Sequence, residues 1–214
     1  MPVKEQLELA KAGFIANAPV EAQAAIFRHI EEQQQSGILY GLKEGDKAPT
    51  FTLDNSLGEQ VTLYDELAQG PVVLTFYRGS WCPFCSIQLR AFQQVLPEIQ
   101  LLGGQLIAIS PQSPDNSLSH KEKEKLAFPV LSDPQGTISD SYRLLFELPE
   151  YLQAIFKHTL RLDLTQFNQI DRWVLPVPAT FLIDKEGIIQ QAHVNPDFMK
   201  RMDPQELIDQ LKML

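Results

Sequence analysis

Cys82 and Cys85 stand two residues apart in YRGSWCPFC, residues 77–85, and they are the only cysteines of the 214-residue chain. A thiol reacts as its thiolate, yet a free cysteine with a pKa near ~8.5 is mostly protonated at neutral pH. The pair therefore needs a setting that favours the anion. A helix N-terminus is one, because it offers unpaired N–H groups and the positive end of the macrodipole. Pro83 suits the first helical turn, since it lacks the N–H that would find no helical partner there. That places Cys82 at or beside the helix end and Cys85 in the first turn, near enough to close a small disulfide ring. Arg78 adds positive potential, and Trp81 shields one side and offers a flat surface to a partner. A C-x-x-C pair after a strand is a redox pattern. A closed zinc site wants about four ligands, and His29, His120, His158 and His193 are scattered with no two at ligand spacing. The expectation is a site with no metal and no organic cofactor.

Elements must hold this pair in place. PVVLTFY, residues 71–77, is a continuous apolar run of β-favouring residues and predicts a buried central strand. After the cysteines, Leu89, Phe92, Leu96 and Ile99 line one face of a helix that Gly103 and Gly104 end, with a bend at Pro97. Residues 106–109 predict the next buried strand, 121–127 a helix, and 129–131 a short strand. Residues 51–53 and 61–63 are short strands around a turn at 55–58. Residues 137–172 read as mostly helical, from Leu144, Leu145, Leu148, Tyr151, Leu152, Ile155 and Phe156. Residues 179–183 and 188–194 predict a strand pair joined by the turn 184–187. The last helix opens at Asp203-Pro204-Gln205-Glu206, which has Asp at the cap, Pro first and Glu third. Leu207, Leu211 and Leu214 give it an apolar face.

At the other end, Val3, Leu7, Ala10 and Phe14 recur at helical spacing. A second helix starts at Pro19 and stops at Gly37, with an apolar face of Val20, Ala24, Phe27 and Ile30. This hairpin fits two roles equally, packing on its own domain or forming a homodimer contact. The turn-rich GLKEGDKAPT marks the boundary, giving an N-terminal helical extension at 1–42 and a main domain at 43–214. The order β–α–β–α then β–β–α gives an α/β, thioredoxin-like fold, a central mixed sheet with helices on both faces.

Lys and Arg number 18 against 27 Asp and Glu, for a net charge of −9. An acidic chain with no basic run suits neither nucleic acid nor an anionic membrane. MPVKEQLELA lacks the apolar stretch of a signal peptide, and no run approaches the roughly 18 residues of a span. The expected location is cytoplasmic and reducing, where two cysteines at C-x-x-C spacing point to metal or catalysis rather than to a disulfide scaffold.

RGSWCPFC, with LPVPATFLID at 175–184 and GDKAPTFTL at 45–53, resembles the AhpC/TSA peroxiredoxin-like family of the thioredoxin superfamily over nearly all of 43–214. The family carries P-x-x-x-T/S-x-x-C after this strand. Gap-free alignment puts Cys85 in the peroxidatic place, Cys82 in the Thr place and Arg78 in the Pro place. Pro178 stands where the family has an Arg that polarises the peroxide. The centre instead resembles thioredoxin and glutaredoxin, through Trp81-Cys82, Cys82-Pro83-Phe84-Cys85 and Val177-Pro178. That likeness implies a cis Val177–Pro178 bond that holds the Val177 backbone open towards the cysteines.

The resemblance implies a thiol-dependent peroxidase that reduces hydrogen peroxide or alkyl hydroperoxides. A cysteine becomes sulfenic acid, the second condenses with it into a disulfide between Cys82 and Cys85, and thioredoxin, glutaredoxin or glutathione restores the dithiol. Trp81, Arg78, Val177 and Pro178 are the expected substrate-binding residues. Cys82 is the expected attacking thiol, as the residue nearer the helix end and more open to solvent. The alternatives are a thioredoxin- or glutaredoxin-like thiol–disulfide oxidoreductase and a non-enzymatic redox-sensing module.

Overall fold

A computed structural model describes residues 1–55 and 57–214. The elements run α1 Val3–Asn17, α2 Val20–Gln35, β1 Thr52–Asp54, β2 Gln60–Thr62, α3 Leu63–Leu67, β3 Val72–Phe76, α4 Pro83–Leu101, β4 Gln105–Ser110 and α5 Pro114–Glu124. They continue with β5 Val130–Ser132, α6 Thr137–Ser141, β6 Leu145–Glu147, α7 Glu150–Ala154, a π-helical turn Ile155–Thr159, α8 Leu164–Asn168, β7 Val174–Pro176, β8 Ala179–Ile183, β9 Ile189–Val194 and α9 Pro204–Leu211.

The apolar run at 71–77 becomes β3, buried along its whole length at the centre of a sheet ordered β5-β4-β3-β8-β9. It pairs parallel to β4 and antiparallel to β8, so the sheet is mixed. Alternation along the strands sends side chains to two cores. Val73, Leu106 and Leu182 face the core that contains Phe92, Ile99 and both cysteines. Leu74, Phe76, Ile107 and Phe181 face the core that contains Leu63, Leu67 and Tyr142. Each fully buried Leu or Phe contributes about 1.5–3 kcal/mol, so burial on both sides makes β3 the rigid base from which the cysteine loop springs. Among the described residues, no helix is long and apolar enough to cross a membrane.

The amino-terminal helices form the expected hairpin and lie against α4, α7 and the π-helical turn. The buried face of α2 differs from the sequence reading: Ala22, Ile26, Ile30 and Gln33 point inward, while Val20 is 79% exposed. The spacing of Ala22, Ile26, Ile30 and Gln33 makes an equally good helical stripe, and the neighbours on α7 decide between the two. Helix α5 begins earlier than expected, because Ser113 caps it by accepting from Asn116 N–H and Pro114 takes its first position.

Residues 137–172 are helical over most of their length, in short pieces at Thr137–Ser141, Glu150–Ala154, Ile155–Thr159 and Leu164–Asn168, but one strand interrupts them. Leu145–Glu147 forms β6, paired antiparallel with β7, and Leu144 carries the turn before it. Apolar residues at 144, 145 and 148 fit a helix, but the cross-strand partner Leu175 overrides that local preference. Leu214, expected on the α9 face, is 52% exposed beyond the helix end. The turn expected at 55–58 includes Ser56, which lies outside the described residues. Among the described residues no peptide bond is cis, so the expected cis Val177–Pro178 bond is trans. Val177 runs extended from β7 towards β8 and donates its N–H to Leu144 O at 2.8 Å, so its backbone is already paired rather than open.

Candidate active site

The loop from Tyr77 to Trp81 leaves β3 and turns into α4. Gly79 makes the turn possible: its φ is +145°, and a Cβ there would lie 2.4 Å from Trp81 Nε1. Cys82 is the N-cap of α4 and Pro83 its first residue. The Cys82 carbonyl accepts from the N–H groups of Cys85 and Ser86, at 3.0 and 3.1 Å. Cys85 thus sits in the first turn, as the spacing predicts.

Both cysteines are free thiols, and both are buried, Cys82 at 1% and Cys85 at 0% exposure. Cys82 is therefore not an open surface thiol. What separates the two sulfurs is their partners. Cys85 Sγ accepts from Arg78 N–H at 3.5 Å and from Arg201 Nη2 at 3.3 Å. Burial alone would raise the Cys85 thiol. The Cys82 S–H that donates to it, the charges of Arg201 and Arg78, and the Arg78 N–H outweigh burial and hold it well below the ordinary thiol range. Cys82 is pushed the other way by burial, by its hydrogen bond to Cys85 and by the Cys85 charge, against partial relief from the two arginines. The pair shares one negative charge, and that charge rests on Cys85.

Arg78 is 6% exposed. Its guanidinium carbon lies 3.9 Å from the Phe198 ring centroid, 4.8 Å from Trp81 and 5.9 Å from Phe156. An aromatic cage of this kind compensates a desolvated cation through the ring quadrupoles. On the far side of Arg78, burial and then the Arg78 charge hold the His29 imidazole down to about 4, so it is neutral at neutral pH.

Beside Cys82 opens a cleft of about 360 Å³. Phe14 and Ile26 of the hairpin, Trp81, Phe84, Phe156 and Phe198 form most of its walls, with Cys82, Arg78 and Arg161 the polar groups. Cys85 is not among its lining residues. Val177 and Pro178 line a separate cavity of about 20 Å³ behind Arg78, with His29 and Gln33. The structure therefore brings together Cys82, Cys85, Arg78 and Trp81 and places Val177 and Pro178 on the other side of the Arg78 guanidinium.

A buried polar chain fixes both ends of the motif. Gln112 Oε1 accepts from Ser80 N–H at 3.0 Å, and Gln112 Nε2 donates to Tyr77 Oη at 2.8 Å. His120 Nδ1 lies 3.4 Å from Tyr77 Oη and its Nε2 3.3 Å from Ser86 Oγ. Burial holds His120 down to about 4, so this ring also is neutral. Ser80 precedes the cysteine pair and Ser86 follows it, so the chain clamps the motif to β3, β4 and α5.

Sequence reasoning missed Arg201, which is 116 positions from Cys85. Its only signal was its place in the chain's one adjacent Lys–Arg pair, Lys200-Arg201. Phe156 and Phe198, two walls of the Arg78 cage, carried no signal beyond being apolar. Among the described residues, no three His, Cys, Asp or Glu side chains cluster to hold a metal.

Residues 44–192 match the AhpC/TSA family. The chain is 31% identical over 157 residues to peroxiredoxin Bcp of Escherichia coli, covering 73% of this chain and 87% of that protein. It is 30% identical over 148 residues to a putative peroxiredoxin bcp of Coxiella burnetii, covering 69% of this chain and 85% of that one. The crystal structure of peroxidoxin BcpB from Mycobacterium tuberculosis superposes with a TM-score of 0.64 at 21% identity, over 81% of this chain and 98% of that one. At that identity the superposition establishes the fold.

Proposed function

The chain belongs to the AhpC/TSA family of peroxiredoxins, and from that premise we propose that Cys85 is the thiolate that attacks the peroxide and Cys82 the thiol that resolves it. The protein is a peroxiredoxin-type thiol peroxidase, an oxidoreductase whose substrate is a peroxide. The observation that carries the assignment of roles is the double donation to Cys85 Sγ, from Arg201 Nη2 and from Arg78 N–H. It departs from the expectation that Cys82 attacks, which assumed a solvent-open Cys82.

The Cys85 thiolate attacks one peroxide oxygen, the O–O bond breaks, and Cys85 becomes sulfenic acid. The leaving oxygen takes the proton of Cys82, the thiol that burial and the Cys85 charge keep protonated. The Cys82 thiolate then attacks the sulfenic sulfur, forming the disulfide and releasing hydroxide, which takes a proton from solvent. Arg78 and Arg201 stabilise the negative charge as it moves from sulfur to oxygen. The apolar walls of the cleft, with Trp81 and Arg78 among its lining residues, favour alkyl hydroperoxides as well as hydrogen peroxide, and because Cys85 does not line the cleft the peroxide oxygen must pass Cys82 to reach the thiolate.

Against a thioredoxin-like disulfide reductase acting on proteins stands Val177, whose N–H is spent on Leu144. Stopped-flow mixing of reduced protein with hydrogen peroxide tests the reading. A Trp81 fluorescence change that is first order in peroxide, with loss of two thiols per chain, is the expected result. Two free thiols persisting after excess peroxide would count against it.

A further inference from the structure

We infer that the thiol that regenerates this enzyme is a small molecule bearing a carboxylate, which enters the cleft over Cys82 and pairs with Arg161. The inference rests on the peroxidase reading above and names its second substrate. Three observations carry it.

The first is access. Of the two sulfurs only Cys82 lines the cleft, yet it is 1% exposed. Phe14 and Ile26 of the amino-terminal hairpin and Phe156 of the π-helical turn stand around it. A reducing protein must bring its own sulfur into line with the disulfide, and here the hairpin occupies the space its surface would need. A cleft of about 360 Å³ admits a molecule of peptide size and no more.

The second is charge. In a chain with 27 acidic residues, the cleft is lined by two arginines and by no carboxylate. Arg78 is committed to the cysteine pair and its aromatic cage. Arg161 is exposed at the rim, and among the described residues it makes no ion pair. Its φ of +57° is a conformation that a non-glycine residue adopts at a cost. A guanidinium so placed is suited to a carboxylate.

The third is the polarity of the disulfide. The incoming thiolate attacks Cys82 Sγ, a new S–S bond forms to it, and the bond to Cys85 breaks. Cys85 leaves with the electron pair as the thiolate that Arg201 and Arg78 N–H already stabilise, and a stabilised thiolate is the faster leaving group. A second small thiol attacks the outer sulfur of the mixed disulfide and frees Cys82, which takes a proton. Two small thiols are oxidised to one disulfide, and the protein gains two electrons.

The test oxidises the full-length protein with diamide, so that it does not depend on peroxide, and follows re-reduction. Glutathione is compared with 2-mercaptoethanol, a neutral thiol, and a thioredoxin-class protein with dithiothreitol. Glutathione is expected to slow with added salt while 2-mercaptoethanol does not. Arg161→Gln is expected to lower the glutathione to 2-mercaptoethanol rate ratio about tenfold, with Arg161→Lys recovering part of it. The thioredoxin-class protein is expected to react no faster than dithiothreitol. Equal salt dependence of the two thiols, an unchanged ratio in Arg161→Gln, or a thioredoxin-class protein at least about tenfold faster than dithiothreitol would each overturn the inference. Failure of peroxide to form the disulfide would sink the peroxidase reading instead.

Discussion

The two sides of the first turn of α4 are built from different materials. On the Cys82 side the surroundings are aromatic and half open: Trp81, Phe84, Phe156, and beyond them the cleft. On the Cys85 side they are closed and polar, with a guanidinium at 3.3 Å and an N–H at 3.5 Å. Three positions of one helix thus separate a protonated thiol that meets the cleft from a thiolate that does not. The helix end alone cannot make this distinction, because it favours an anion at both places. The asymmetry comes from the hydrogen bonds that Cys85 accepts, from Cys82, Arg201 and Arg78 N–H, and it divides the work: the charged sulfur does the attacking and the neutral one delivers a proton and closes the bond.

Breaking the charged side has the largest expected effect. Cys85→Ser should lower the rate of the peroxide step by roughly 10³-fold or more, read by stopped-flow fluorescence, since no stabilised thiolate remains. Arg201→Met comes next. It removes one charge-assisted hydrogen bond, about 1.5–3 kcal/mol, and should slow the peroxide step at neutral pH by roughly 10–100-fold.

The same substitution should change the pH profile. A thiolate held low is fully formed across neutrality, so the wild-type rate should be flat between about pH 6 and about pH 8 and fall only in more acid solution. Arg201→Met raises the Cys85 thiol, so its rate should climb with pH through that window. Thiolate absorbance near 240 nm should follow both curves. A wild-type rate that rises steadily over the window would mean that the charge is not held on Cys85.

The smallest expected effect is on the clamp. Gln112→Leu leaves Ser80 N–H without its partner and takes the Gln112 donor from Tyr77 Oη, which keeps His120, and should cost about 1–3 kcal/mol in chemical denaturation. It should slow the peroxide step less than Arg201→Met, because it loosens both sides of the turn together rather than removing the difference between them.

What the sequence disclosed and what it hid follow the same division. The strand at 72–76 and the helix start at Pro83 rest on local patterns, and each was legible from a short run of residues. The partners of the cysteines were not. Arg201 and Phe198 arrive from the loop after β9, and Phe156 from a π-helical turn inside a region whose apolar spacing reads as helix. The pairing of Leu145 and Phe146 with β7 is likewise a long-range contact, invisible to periodicity. The motif announced a dithiol, but the difference between its two thiols is a tertiary property.

The most direct measurement maps the first oxidation. Cys82→Ser and Cys85→Ser are each exposed briefly to peroxide, labelled with a sulfenic-acid probe and read by peptide mass spectrometry. The account predicts strong labelling of Cys85 in the Cys82→Ser protein and none of Cys82 in the Cys85→Ser protein. Strong labelling of Cys82 with an inert Cys85 would contradict it and give the attacking role to the thiol that meets the cleft.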